Sequence, residues 1–159
     1  NKGYLFFQGA DISTSARYLS EDAGDFYASF AMSYVHDERR ADEAGEEPYS
    51  LWDGGYLYRL RTKSYLSFGW DYNKWSAGIN YERWGHMEGG DGKISPYNET
   101  GVWAQYRFDP AGKQYIQVNI NNVFEYIPDK VSTLAWTFFQ DAILPAVGPE
   151  VFVSYRYTF

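Results

Sequence analysis

The sequence predicts an all-β fold, a transmembrane antiparallel β-barrel, and three observations carry that expectation. Apolar and polar residues alternate with period two in seven separate segments, and a strand turns successive side chains to opposite faces. Aromatic residues make up 21% of the 159-residue chain, with 16 Tyr, 11 Phe and 6 Trp, while the mean hydropathy is below zero. Short and long connections take turns between the segments. Packed cores favour Leu, Ile and Val over Tyr. A membrane barrel shows lipid on one side of each strand only and gathers Tyr and Trp at the two interfaces.

Taken in order, the first segment, Tyr4 to Tyr18, sets Ala10, Ile12, Thr14, Ala16 and Tyr18 against Gly9, Asp11, Ser13, Ser15 and Arg17. The second, Phe26 to His36, sets Phe26, Ala28, Phe30, Met32 and Tyr34 against Tyr27, Ser29, Ala31 and Ser33. The third ends near Tyr72, with Leu66, Phe68, Trp70 and Tyr72 opposite Ser67, Gly69 and Asp71. It is expected to run back in unbroken phase toward Tyr56, placing Tyr56, Tyr58 and Leu60 opposite Arg59, Arg61 and Lys63. The fourth alternates Trp75, Ala77, Ile79 and Tyr81 with Ser76, Gly78, Asn80 and Glu82. The fifth sets Val102, Ala104, Tyr106 and Phe108 against Trp103, Gln105 and Arg107. The sixth sets Ile116, Val118 and Ile120 against Gln117, Asn119 and Asn121. The seventh, Val151 to Phe159, turns Val151, Val153, Tyr155, Tyr157 and Phe159 to one side.

Each segment has about the 9–11 residues of a tilted spanning strand. A soluble β-sandwich also alternates, but its core would be Val, Leu and Ile throughout. Here the apolar faces carry Tyr, Trp and Phe at the strand ends, and the opposite faces carry Gly, Ser, Asn and Gln. The connections Leu19 to Asp25, Asn73-Lys74 and Asp109 to Lys113 are short and hold turn residues. Those at about Asp37 to Gly55, Gly85 to Glu99 and Glu125 to Gly148 are long. Outer-membrane barrels have short periplasmic turns and longer outer loops, so the chain is expected to end on the periplasmic side and to begin on the outer side. Seven antiparallel strands leave the first and last running the same way, which predicts part of a larger barrel.

No apolar run approaches the ~20 residues of a spanning helix. The net charge of −7 argues against a nucleic-acid partner, which needs a basic surface. The absence of Cys decides little about compartment. No signal peptide is visible in the sequence, which starts at Asn1-Lys2-Gly3, so a mature product or a fragment is expected.

The stretch Gln117-Val118-Asn119-Ile120-Asn121-Asn122-Val123-Phe124 resembles the penultimate strand of TonB-dependent outer-membrane receptors, with its Asn-apolar-Phe ending before a long loop and a terminal aromatic strand. Gly9-Ala10-Asp11-Ile12 resembles that family's Gly-x-Glu-x strand opening, with Asp for Glu. Tyr81 to Gly85 resembles its aromatic strand end, and Thr100 to Phe108 its next strand. The resemblance spans nearly the whole chain in order, through degenerate motifs. It implies the last seven of 22 strands, over residues 1–159, in a receptor importing a siderophore, metal chelate or similar nutrient with energy delivered through TonB. It also implies a location in the bacterial outer membrane. The plug domain and TonB-contacting box of that family have no counterpart in these residues, so TonB would act only through a plug, and the remaining barrel wall and the plug would be partners. Outer-membrane lipid and lipopolysaccharide are the other expected partners. The alternative is a self-contained eight-stranded barrel with a structural or adhesion role, its eighth strand hidden in residues 1–8, 48–60 or 125–148.

Candidate sites follow from phase and composition. Tyr155, Tyr157 and Phe159 resemble the signal read by the barrel-assembly machinery, which would pair with an exposed edge strand; as plain lipid-facing aromatics they need no such role. Arg17, Arg59, Arg61, Lys63, Arg107 and Arg156 take the polar phase and would form a lumenal cationic wall facing an acidic plug or an anionic substrate, or merely a water-facing surface. Trp136, Phe138 and Phe139 in the last long loop would grip a ligand at the barrel mouth or pack onto it. The Asp37 to Glu47 run holds six acids and two arginines, but it lacks cation-loop spacing, and such runs are usually solvated. His86, Glu88 and Asp91 lack regular metal-ligand spacing, so no metal is expected. No G-x-S-x-G elbow, Walker-type loop or CxxC pair occurs, so neither an enzyme nor a cofactor is expected.

Overall fold

A computed structural model describes residues 3–52, 59–89, 92–109, 111–127 and 148–158. The strands are β1 (Tyr4–Tyr18), β2 (Asp25–Ala41), β3 (Tyr49–Ser50), β4 (Arg59–Leu60), β5 (Thr62–Tyr72), β6 (Trp75–Trp84), β7 (Met87–Gly89), β8 (Gly92–Ile94), β9 (Tyr97–Arg107), β10 (Gln114–Asn121) and β11 (Glu150–Tyr157). An eight-stranded antiparallel sheet runs in the order β1-β2-β5-β6-β9-β10-β11, with β3 pairing the far end of β2. A separate three-stranded sheet joins β4, β7 and β8. All seven predicted segments are strands of the main sheet, each hydrogen-bonded to its neighbour in sequence. The sheet is open: β1 and β11 lie at its two edges, and along the path of seven strands they run in the same direction.

Three expectations change. The second strand does not stop at His36 but continues to Ala41. Gln8 pairs with Asp37 and Gly9 with Val35, which leaves His36 as an extra residue in β2. Such a bulge switches the phase of everything beyond it, so the charged run hides a strand whose alternation has slipped by one. Gly9 is needed there, because a Cβ at this position would lie 2.6 Å from the Tyr34 carbonyl oxygen. The third strand does not continue unbroken toward Tyr56. Arg61 breaks it, and Leu60 pairs with Met87 in the second sheet; residues 53–58 lie outside the described set. Finally, Tyr4 to Gln8 form the end of β1, paired with β2, and not a further strand.

Register makes the two faces continuous. One row reads Ala28, Phe68, Ile79 and Val102 across β2, β5, β6 and β9, and Ile120 and Val151 extend it across β10 and β11. The next row reads Tyr18, Phe26, Trp70, Ala77, Ala104, Val118 and Val153. Nothing among the described residues covers this apolar face. Ile12 is 60% exposed, Ile79 43% and Val153 65%, at positions where a soluble sheet would seat its core. Among the described residues the buried hydrophobic ones are Ala41, Trp52, Met87 and Tyr97, all toward the long-loop end.

At the short-turn end the apolar face becomes a belt of rings. Tyr18 meets Phe26 at 6.4 Å, Trp70 meets Tyr72 at 6.1 Å and Trp75 meets Tyr106 at 4.8 Å. Phe108 continues the belt to Tyr106 at 5.3 Å and to Tyr155 at 6.4 Å. The turns below it have the left-handed residues that tight connections need: Gly24 at φ 88°, Asn73 at φ 53° and Gly112 at φ 68°. The Trp70 indole donates to the Ala23 carbonyl at 2.7 Å, tying the first turn to β5. In the last turn the Asp109 carboxylate accepts from the backbone N–H groups of Lys113 and Gln114 at 3.2 and 2.8 Å. Desolvation opposes the charge of Asp109, but backbone hydrogen bonds from Lys113, Gln114 and Ala111 outweigh it and hold the carboxyl below the usual aspartate range.

The polar face has its own packing device. Gly69 and Gly78 are register partners on β5 and β6. Tyr27 of β2 lays its ring over the first, and Trp103 of β9 lays its indole over the second; a Cβ would meet these rings at 2.1 and 2.7 Å. A large ring covering a strand glycine restores the cross-strand contact that the glycine lacks. Gly78→Ala also drives a methyl to 2.7 Å from the Phe68 carbonyl oxygen, and backbone cannot swing aside. It should destabilise the protein by about 1–3 kcal/mol, the usual range for overpacking. Gly101→Ala, whose nearest neighbours stand at 3.5 Å, should cost much less; equal urea midpoints for the two variants would refute this packing.

Candidate functional site

The polar face is the surface with the chemistry. Its middle row runs Arg17, Tyr27, Gly69, Gly78, Trp103, Asn119 and Phe152 across all seven main strands. On its long-loop side lie Ser15, Ser29, Ser67 and Asn80 in register, with the Ser29 and Ser67 hydroxyls 2.7 Å apart. On its short-turn side lie Asp25, Asp71, Ser76, Gln105 and Gln117.

Here the predicted cations find partners. Arg17 reaches Asp25 at 2.7 Å. Arg107 holds Asp71 with two nitrogens at 3.1 and 2.5 Å and the Asn73 carbonyl at 3.0 Å. The buried Ser76 hydroxyl donates to Asp71 at 3.0 Å. Lys63 pairs with Glu82 at 2.7 Å and lies 4.4 Å over the Trp84 ring. Arg61 sits at the bend between β4 and β5, 4.1 Å over Trp52, and donates to the His36 carbonyl at 3.2 Å. Arg59 belongs to β4 in the second sheet and so leaves the wall. Arg156 shares a row with Tyr115 and Arg107 on the polar face of β11. The polar face is therefore mixed rather than cationic: Asp11, Asp25, Asp71, Glu82, Glu99 and Glu150 face the same way as Arg17, Lys63, Arg107 and Arg156.

Tyr155 and Tyr157 lie exposed on the apolar face of edge strand β11. Phe159, Trp136, Phe138 and Phe139 fall outside the described residues. The acidic run is partly strand, and its arginines pair locally, Arg39 with Asp37 at 2.7 Å and Arg40 with Asp42 at 2.6 Å. No group of three or more metal-ligating residues occurs among the described residues.

Sequence reasoning missed the cluster at the long-loop end of the polar face. Met87 and Tyr97 are buried there against Leu60, Trp84 and Tyr126. Tyr97 donates to Glu99 at 2.7 Å, Trp84 to Glu82 at 2.8 Å and Tyr126 to the Pro96 carbonyl at 2.5 Å. Asn122, left-handed at φ 49°, closes β10 by accepting from the Tyr126 N–H at 2.8 Å and donating to the Tyr126 carbonyl at 3.0 Å. This is the Asn of the Asn-Val-Phe ending, so the motif marks a side chain that imitates a backbone turn. The signal for the cluster was present: carrying the fifth segment's phase back from Trp103 places Glu99 and Tyr97 on the polar face.

No protein-family model, curated protein or solved structure matches the chain.

The two ion pairs near the short turns differ in exposure, and that decides their worth. Arg107 and Asp71 side chains are 23% and 41% exposed, against 65% and 35% for Arg17 and Asp25. Asp71→Asn, which keeps the shape but loses the charge, should cost about 1–2 kcal/mol in chemical unfolding, and Asp25→Asn near zero, as for most exposed pairs. The reverse order would mean that Asp71 does not anchor Arg107.

Proposed function

We propose that this chain forms part of the wall of a transmembrane β-barrel in a bacterial outer membrane. We further propose that the barrel is that of a TonB-dependent receptor importing a siderophore, metal chelate or similar nutrient. One observation carries the first step. A sheet of seven main strands keeps one apolar face uncovered by any described residue from edge to edge, and that face ends in an aromatic belt beside the short turns. Lipid covers such a face without a second protein layer. The second step rests on the ordered resemblance of Gly9 to Ile12, Tyr81 to Gly85, Thr100 to Phe108 and Gln117 to Phe124, and on a polar face suited to a water-filled lumen. In this reading β1 and β11 pair with the remaining wall, the polar face meets a plug, and Tyr155, Tyr157 and Phe159 serve the assembly machinery.

The chain has no Cys, so single-cysteine spin labels report the two faces directly. Labels at Leu66, Ile79, Val102 and Val118 should be accessible to membrane-dissolved oxygen and shielded from a water-soluble nickel chelate. Labels at Ser67, Asn80, Trp103 and Asn119 should give the opposite result. Loss of this period-two pattern in lipid vesicles, or full solubility of the protein without detergent, would remove the membrane reading. For import, cells lacking the gene should lose TonB-dependent uptake of at least one ferric chelate; unchanged uptake across a chelate panel would leave the wall and discard the receptor.

A further inference from the structure

Below the bulge, the apolar face of the described main strands carries one charged residue, Arg83 of β6. It is exposed and has no ion-pair or hydrogen-bond partner among the described residues, in contrast to Arg17, Lys63 and Arg107. Its register neighbours are polar on both sides: Ser64 of β5 and Asn98 of β9. Side chains directly opposite in an antiparallel pair stand about 5 Å apart at Cβ. One pair closer to the middle of the sheet, the Tyr81 hydroxyl donates to the Asn98 side-chain carbonyl at 2.7 Å. A guanidinium, a serine hydroxyl and an asparagine amide thus share one small patch facing away from the lumenal side.

The height of the patch matters as much as its composition. Trp75 of the aromatic belt and Arg83 are the two ends of the same face of β6. Eight residue steps cover about 26 Å along a strand, or about 20 Å across the membrane at the ~40° tilt usual in barrels. Arg83 therefore sits about 5 Å inside the far edge of an apolar band of about 25 Å, a distance its long side chain spans by snorkelling to the lipid headgroups on the long-loop side. An arginine fork there matches phosphate oxygens, and the hydroxyl and amide add donors on either flank.

We propose that Arg83, with Ser64 and Asn98, binds the phosphate of an anionic membrane lipid in the leaflet on the long-loop side. This rests on the membrane reading of the apolar face. A lipid, rather than dissolved phosphate, is the source because the rows beneath the patch are Leu66, Tyr81 and Thr100, then Phe68, Ile79 and Val102, a bed for acyl chains and not for water.

Native mass spectrometry of the intact protein in detergent, titrated with lipid A or with phosphatidylglycerol, tests this directly. The wild-type protein should retain lipid adducts. Arg83→Gln should lower adduct occupancy about fivefold, the worth of one basic residue at an anionic surface. Arg83→Lys should restore most of it, and Lys74→Gln, in a short turn at the other end of the sheet, should change nothing. Millimolar inorganic phosphate should not displace the lipid. Undiminished adducts in Arg83→Gln, or displacement by inorganic phosphate, would overturn the lipid site while vesicle flotation of the same protein keeps the membrane reading. A wild-type protein that neither floats with vesicles nor holds lipid would overturn both.

Discussion

An apolar sheet face has to be covered, and the rest of this structure depends on what covers it. Burying one large apolar side chain is worth roughly 1.5–3 kcal/mol, and whole domains are stable by only about 5–15 kcal/mol. Ile12, Leu66, Phe68, Ile79, Val151, Val153 and Tyr155 are all exposed on one face, so leaving them in water would forfeit stability on the scale of a domain's whole margin. A soluble fold would answer with a second sheet or a helix layer, but the described residues contain no helix and no second layer against that face. In the membrane reading proposed above, lipid would cover that face with no protein at all, and the alternation, the ring belt at the strand ends and the small inventory of buried residues among those described would share one cause.

The same cause inverts the usual logic of packing. With its apolar face left uncovered by the described residues, the sheet has to find specificity on its polar side, where hydrophobic burial is scarce. It does so in three ways. Tyr27 and Trp103 fill the trough over Gly69 and Gly78. Charges are matched within the wall, as in Arg107 with Asp71 and Lys63 with Glu82. At the long-loop end Met87 and Tyr97 make a compact cluster, roofed by Tyr126 and pinned by Asn122. Matching charges across the sheet fixes register as well as neutrality: Arg107 of β9 reaches past β6 to Asp71 of β5, and a slip of one residue would send the two to opposite faces.

What the sequence disclosed, and what it hid, follows from the range of each interaction. Period-two alternation is local and survives in isolation, so all seven main strands were legible, β1 to its last residue at Tyr18. The turns were legible because Asn73 and Gly112 carry backbone conformations that few residues adopt. The bulge at His36 was not, since only pairing with Gln8 and Gly9 reveals the extra residue. It disguised Asp37 to Ala41 as loop. Arg61 looked like a member of an unbroken strand because its phase is right, but Leu60 is claimed by Met87, a contact between distant positions. The polar phase of Arg17, Lys63 and Arg107 is legible in the alternation, but their carboxylate partners are not: phase says which way a cation points and nothing about the carboxylate it meets on another strand.

Strand parity constrains what can complete such a wall. In the open sheet β1 and β11 run the same way, so joining them to each other makes a parallel seam. Copies of the sheet arranged by rotation about the membrane normal fare no better, because every junction would set β11 of one copy beside β1 of the next, again in parallel. Copies inserted in opposite directions would pair antiparallel, but they would put the long loops of one beside the short turns of the other and mix the two interfaces. An all-antiparallel closure with one orientation therefore requires an odd number of further strands that are not rotated copies of this sheet. In the proposed barrel the fifteen-residue edge of β1 and the eight-residue edge of β11 would take unequal neighbours, the one beside β1 reaching well beyond the apolar band on the long-loop side. Such a wall would be taller at one seam than at the other, which a repeat of a single hairpin would not provide.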